Sequence, residues 1–229
     1  MITLYSGLVV RQPLVETLIP AFEREHPGEA VRTVFEPTTV LLDRIAAGDR
    51  PDLFLGVAAS VRELGEQGVL DPASVTDIAV SAVGYARRPS DPGPAGESAQ
   101  AFLDYLLAAS AVAYSLSGAS GLHFAETMRE RQVLDRLDER AVRFPAGLTA
   151  EAVADGRAQV AIQQVSELRS VAGTHVVEPI PHDLQSYARF AVGVRPGAPD
   201  AARALAASLT GERALAAYAS VGLSAPHPN

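Results

Sequence analysis

The sequence predicts an α/β protein of two lobes joined by two crossover strands. Short apolar runs typical of buried strands alternate with apolar residues at helical spacing along its 229 residues. The alternation falls into two sets, separated by the loop RRPSDPGPAGES (87–98), whose Pro and Gly density marks a surface connection. Two extended segments, 78–86 and 187–194, are long enough to carry the chain between lobes twice. With these as the crossings, lobe one is 1–79 and 192–229, lobe two is 86–187, and the hinges are 80–85 and 188–191.

Within lobe one, residues 2–5 read as a buried strand. Leu14, Leu18, Ala21 and Phe22 then share a helical face, and EREHPGE ends that helix at Pro27 and Gly28. A second strand spans 31–35. Val40, Leu41, Arg44 and Ile45 form a short amphipathic helix stopped by Gly48, a third strand spans 53–57, and ASVRELGEQG is its following helix. This β-α-β-α-β order predicts a parallel sheet with helices on both faces. Lobe two repeats the pattern with the helix AQAFLDYLLAA, a strand over 111–115, a helix from about 121 to 131, the helix TAEAVADG and the strand AQVAIQQ. The tail DAARALAASLTGERALAAYASVG reads as helical.

Composition narrows the function. A net charge of −8 disfavours nucleic acid, which is bound by neutralising phosphates with Lys and Arg, but leaves room for a locally positive pocket. With no cysteine there is neither a disulfide nor a thiolate nucleophile. Nothing approaches the ~18 continuous apolar residues of a membrane span. The first residues, Met-Ile-Thr-Leu-Tyr-Ser-Gly, read as strand and not as a leader. A cytoplasmic location is therefore expected, or a periplasmic or extracellular one if a signal peptide has been removed. Gly-x-x-x-x-Gly-Lys-Ser/Thr, Gly-x-Gly-x-x-Gly and Gly-x-Ser-x-Gly are all missing, which disfavours nucleotide and serine-hydrolase chemistry. His26, His175, His182 and His227 stand beside Pro or in loops without metal-ligand spacing, so neither metal nor cofactor is expected.

Four strand-to-helix turns carry small, polar or Gly residues: Ser6 to Leu14, Glu36 to Val40, Ser115 to His123 and Phe144 to Ala152. There, free backbone N–H groups and the positive ends of helix dipoles converge on the sheet edge where open α/β folds bind ligands. For Thr38, Thr39, Ser120 or Thr149 taken singly, an N-cap role is sufficient. Four such starts from two lobes point to an anion in the cleft between them, and Thr38 both caps and lends its hydroxyl. Arg11, just past the first turn, is suited to a planar carboxylate or is a solvated residue at a helix start. Of Gln163 and Gln164, alternating on one strand, only one can face the cleft. His123, three residues after Ser120, is either an acid–base group or, more commonly for a lone histidine, a packed residue bonded to backbone. Tyr187 and Arg189 sit on the second crossover, where cleft contacts and hinge packing are equally open.

The runs TTVLLDRIAAGDRPDLFLGV, YSLSGASGLHFAETM and DGRAQVAIQQVSEL resemble the type 2 periplasmic solute-binding proteins of the molybdate-binding kind, over nearly the whole chain. The resemblance implies the type 2 periplasmic-binding-protein fold and a tetrahedral oxyanion held between lobes by hydroxyls and backbone N–H groups. It places Thr38 on a ligand-binding serine, Ser120 at the N–H-donating helix start of lobe two, Ala146 at a further donating turn, and Gln164 where a tyrosine is expected. Two departures argue against molybdate itself. The first turn has Val9 or Val10 in place of a serine, with Ser6 near, and Gln164 replaces the tyrosine. QQVSE and Arg11 are closer to a subgroup of aconitate isomerases, which shift a proton along an unsaturated tricarboxylate.

The expectation is therefore a protein that binds a small organic carboxylate in the interdomain cleft and isomerises it by cofactor-independent, allylic proton transfer. His123 and Tyr187 would be the acid–base groups, and Ser6, Arg11, Thr38, Thr39, Ser120, Ala146 and Gln164 would hold the substrate. The alternative is a solute-binding protein for an oxyanion or carboxylate, whose partner would be an ABC permease if the chain is exported. A small anion as ligand, no nucleic acid, no membrane insertion and a monomeric state complete the expectation.

Overall fold

A computed structural model describes residues 1–173 and 175–226. The chain forms two compact units, one of Met1–Ser81 with Ala188–Asn229 and the other of Ala82–Tyr187. Strand β4 (Thr76–Arg87) carries the chain out of the first unit, and β9 (Tyr187–Val194) brings it back.

In unit 1, β1 (Ile2–Ser6) pairs in parallel with both β2 (Val31–Phe35) and β3 (Leu53–Val57), and β3 pairs with β9. The last pairing is antiparallel, so the sheet is mixed where an all-parallel one was expected. The period-two pattern of the strands divides the core. Ile2, Leu4, Leu53 and Leu55 point to one face, under the helical stretch 8–25 and the C-terminal helices. Tyr5, Phe54 and Ala191 point to the other, under the helices Thr38–Ala46 and Ala58–Glu66. The stretch 8–25 is not uniform: a π turn, Leu14–Leu18, precedes Ile19–Glu25. Pro20 has no N–H, and its ring crowds the carbonyl four residues back at Glu16, which a widened turn relieves. The predicted face is nonetheless buried, with Leu14, Leu18, Ala21 and Phe22 all at 4% exposure or less. The tail forms two helices, Asp200–Ser208 and Glu212–Ser220, because the Thr-Gly pair at 210–211 interrupts the period.

In unit 2, β5 (Val112–Ser115) pairs in parallel with β6 (Val142–Phe144) and β7 (Val160–Gln164). Antiparallel to them, β4 pairs with β7 and with β8 (Val176–Pro179). One face buries Val83, Tyr85, Val112, Tyr114, Val160 and Ile162 beneath Phe102, Leu106, Phe124 and Met128 of two helices, Ala99–Ala108 and Ala119–Glu130. The other face is built of Ala86, Ala113 and Ala161. Such small side chains let the segment Ala150, Ala152 and Val153 lie close on the sheet, which fixes the position of the turn before it.

Candidate anion site

In unit 1, the carboxyl ends of β1, β2 and β3 lie side by side, since Ser6 is in register with both Phe35 and Leu55. Each strand leads directly into a helical turn. Thr38 is the first residue of its helix and not its cap; Pro37 holds that position, and its carbonyl accepts the first helical N–H, from Leu41. The expectation that Thr38 and Thr39 cap this helix is thereby corrected. Proline has no side-chain acceptor, so no side chain caps this helix start. Thr38 Oγ1 accepts the N–H of Val57, 3.2 Å away on the neighbouring turn, and among the described residues no acceptor takes its own hydrogen. A Cβ on Gly56 would lie 3.1 Å from that hydroxyl, and one on Gly7 3.8 Å from it, so two glycines make the space Thr38 occupies. Thr39 is exposed as the second residue of the helix. Ser6 is fully buried, and its hydroxyl donates to the Gly7 carbonyl at 3.0 Å, so it tightens the first turn. Arg11 is exposed, its guanidinium 5.8 Å above the ring of Phe35, at the same strand ends.

In unit 2, Ser115 is in register with Phe144, and Tyr114 with Ile162, so β5, β6 and β7 also end together. Ser120 is again inside its helix, Ala119–Glu130, and the cap position is Gly118. Ser115 does the capping from behind: its Oγ accepts the N–H groups of Gly118 at 2.9 Å and Ser117 at 3.3 Å. Gly121 makes the tight approach possible, because a Cβ there would sit 1.9 Å from the Ser115 carbonyl oxygen. Ser120 is 1% exposed, and its hydroxyl has no hydrogen-bond partner. A second unpartnered buried hydroxyl is Ser166 Oγ. Gln164 Oε1 faces the Glu167 N–H in a capping box, and Glu167 in turn accepts the Gln164 N–H at 3.3 Å. A buried orphan hydroxyl costs about 1–3 kcal/mol, so the two in unit 2 need a purpose.

Gln163 and Gln164 are both buried, and both are engaged at this edge. Gln163 Oε1 accepts from the Thr149 N–H at 2.8 Å and its hydroxyl at 3.0 Å, while Nε2 donates to the Gly147 carbonyl at 3.0 Å. Gln163 thus clamps the turn that carries Ala146, a half-buried residue just beyond β6. Thr149, expected as a cap, instead makes these bonds inward; the helix Glu151–Ala154 starts after Ala150. In the sequence Gln163 is read only as the alternate of Gln164, Ser115 only as the start of its turn, and Ser166 and Glu167 only as part of the run QQVSE. The three-residue spacing of Gln164 and Glu167 was the one legible signal. Burial pushes the Glu167 carboxyl up to about 7, against the opposing pull of the Gln164 N–H and the Gln163 amide.

The two expected acid–base groups differ in exposure. His123 is half-buried on the face of the Ala119–Glu130 helix that also bears Ser120, and its Nε2 lies 2.8 Å from the Leu184 carbonyl. A carbonyl only accepts, so Nε2 carries the hydrogen, and in the neutral ring the lone pair is left on Nδ1. Tyr187 opens β9 with 61% of its surface exposed. Arg189 pairs with Asp77, which also holds Arg62. His26 stacks on Phe22, His175 bonds to the Leu168 carbonyl, and His182 is exposed beside Asp183. His227 lies outside the described residues. Among the described residues, no group of three or more His, Cys, Asp or Glu side chains is disposed to hold a metal ion, and no helix is long and apolar enough to cross a membrane.

The helices at these edges differ electrostatically. Thr38–Ala46, Ala58–Glu66 and Ala119–Glu130 have no acidic residue in the first turn, whereas Glu151–Ala154 and Val165–Arg169, both at the edge of unit 2, have one each. The positive dipole ends of the first three are not offset by an acidic side chain of their own first turn.

Residues 2–224 match the family model described as bacterial extracellular solute-binding protein. The chain belongs to this family. Among the relatives of this chain, an aconitate isomerase from Pseudomonas sp. is 33% identical over 216 residues, 91% of this chain and 82% of that protein. The periplasmic molybdate-binding protein of Azotobacter vinelandii has the same fold, with a TM-score of 0.79 and 18% identity over 99% of this chain and 100% of that one. The sulfate-binding protein SubI of Mycobacterium tuberculosis H37Rv superposes with a TM-score of 0.75 and 19% identity, over 99% of this chain and 87% of its own. The two-lobed periplasmic-binding-protein architecture expected from the sequence is the one these relatives share.

Proposed function

We propose that this solute-binding-family protein binds a small organic carboxylate and isomerises it by moving one proton, without a cofactor, as an aconitate-isomerase-like enzyme. The observation that carries the reading is His123: its Nε2–H is fixed on the Leu184 carbonyl, which directs a basic Nδ1 from the same helix face as the unpartnered Ser120 hydroxyl. The relationship to the Pseudomonas aconitate isomerase, at 33% identity, supports it. Thr38, Ser120, Gln164 and Arg11 hold the carboxylates, with the N–H at Ala146 as a further donor.

The chemistry is a balanced allylic shift. Nδ1 of His123 removes a proton from the methylene next to a carboxylate, and electron density spreads along the unsaturated chain. The helix ends, free of acidic residues in their first turns, stabilise that added negative charge. The imidazolium then returns the proton to the far alkene carbon, and the double bond has moved by one position.

A second reading rests on the molybdate- and sulfate-binding relatives: an oxyanion receptor with the same donors and no turnover. The family description is of extracellular proteins, so this reading brings an ABC permease as partner. Isothermal titration with cis-aconitate, trans-aconitate, molybdate and sulfate separates the two. Carboxylate binding with molybdate ignored supports the isomerase; tight oxyanion binding with both aconitates ignored overturns it.

A further inference from the structure

Glu167 is a charged letter buried where nothing charged answers it. Its Oε2 accepts the Gln164 N–H at 3.3 Å, and the Gln163 amide lies beside it. Gln163 in turn holds the N–H and hydroxyl of Thr149 and the carbonyl of Gly147. The chain of contacts therefore runs from a carboxyl just past the carboxyl end of β7 to the turn 146–149 at the same strand-end edge. Resting on the anion-binding reading above, we propose that Glu167 is a positioning residue: it sets the 146–149 turn through Gln163, and it takes up one proton when an anion occupies the edge of unit 2.

Burial is the dominant influence on this carboxyl. The titratable groups around it are Arg169 on its own helix, His175 after that helix, and Glu178 with Tyr85 and Arg87 on β8 and β4. His123, Glu126 and Glu151 lie on the helices that flank β7. None of them contributes a charge interaction to Glu167. Glu178 is taken up by Tyr85 and Arg87. A negative ligand at Ser120 and Gln164 would thus be the one new charge Glu167 experiences, and like charge favours the protonated acid. Protonation turns Glu167 from an acceptor into a donor, which changes what it offers the Gln163 amide.

The test is done first without ligand. In a ¹⁵N-labelled sample, the amide resonances of Gly147 and Thr149 are followed from pH 5 to pH 9. One shared transition, present in the native protein and lost in Glu167→Gln, is expected; no transition, or the same one in the variant, overturns the proposal. Calorimetry then follows cis-aconitate at pH 7.5 in buffers of different ionisation enthalpy. Uptake of up to about three-quarters of a proton, absent in Glu167→Gln, is expected, with affinity falling by up to about tenfold per pH unit in the native protein alone. Binding without proton uptake overturns the inference and leaves the function reading intact. If no anion binds, that reading falls, while the ligand-free titration still decides the role of Glu167. Glu167→Leu, which cannot hydrogen-bond, should shift the Thr149 amide where Glu167→Gln restores its low-pH position; equal effects would mark a space-filling role only.

Discussion

The imidazole of His123 donates from Nε2 to the carbonyl oxygen of Leu184 at 2.8 Å, tying the helix after β5 to the turn before β9. That bond selects the tautomer with a basic Nδ1. The same bond is also a tether, worth about 1 kcal/mol to folding.

His123→Ala is therefore expected to cost stability of about that size and to lower turnover by at least about a hundredfold, the usual range for a lost acid–base group. Affinity for cis-aconitate should stay within a few-fold. Steady-state kinetics and calorimetry on the same preparation check both. Loss of affinity matching the loss of turnover would make His123 a ligand contact instead.

Thr38 joins two turns of unit 1 by accepting the Val57 N–H. Thr38→Val removes that acceptor and the free hydroxyl hydrogen together. Carboxylate affinity should fall about tenfold or more, the loss expected for one charge-assisted hydrogen bond, with a stability loss of about 1–3 kcal/mol from the stranded N–H. Thr38→Ser should restore most of both in titration calorimetry and urea unfolding.

Gly121 admits no side chain. A methyl 1.9 Å from the Ser115 carbonyl forces the start of the Ala119–Glu130 helix off β5. Gly121→Ala should destabilise unit 2 by about 3 kcal/mol or more and weaken carboxylate binding even where the protein folds. Gly68→Ala, at a φ of +72° with open space around its Cβ, is the control: backbone strain alone, with binding kept.

Glu167 also gives stability a pH dependence of defined sign. Its folded value of about 7 lies above the ordinary 4.5, so the folded chain holds the proton more tightly than the unfolded one. The stability this carboxyl supports is complete below about 4.5 and is lost as the pH rises through about 7, by about 3 kcal/mol in all. Glu167→Gln should match the native protein in urea melts near pH 5 and exceed it at pH 8.

Much of the fold was legible in the sequence. β3 and β7 were readable because dense apolar runs bounded by turn residues have few alternatives to a buried strand. β6 and β8 were not, at three and four residues with half-exposed side chains and no period to detect. The tail, read as one helical run, divides at Thr210 and Gly211, a pair that leaves the apolar period nearly unchanged on both sides. At the site, the strand-to-helix turns were found but the local roles were misassigned. Thr38 and Ser120 were read as caps because hydroxyls at helix starts usually are, whereas Pro37 and Gly118 hold those positions. Glu167 was passed over because a glutamate in a sequence reads as solvated, and only the packing of Val165 and Leu168 against Gly84 shows that its helix is drawn into the interior.

Proton NMR of the protein in D2O with cis- and trans-aconitate tests the central claim most directly. The account predicts that either isomer alone gives rise to the other, with deuterium entering the methylene position and both processes lost in His123→Ala. Both aconitates unchanged, while molybdate or sulfate binds tightly, would contradict it.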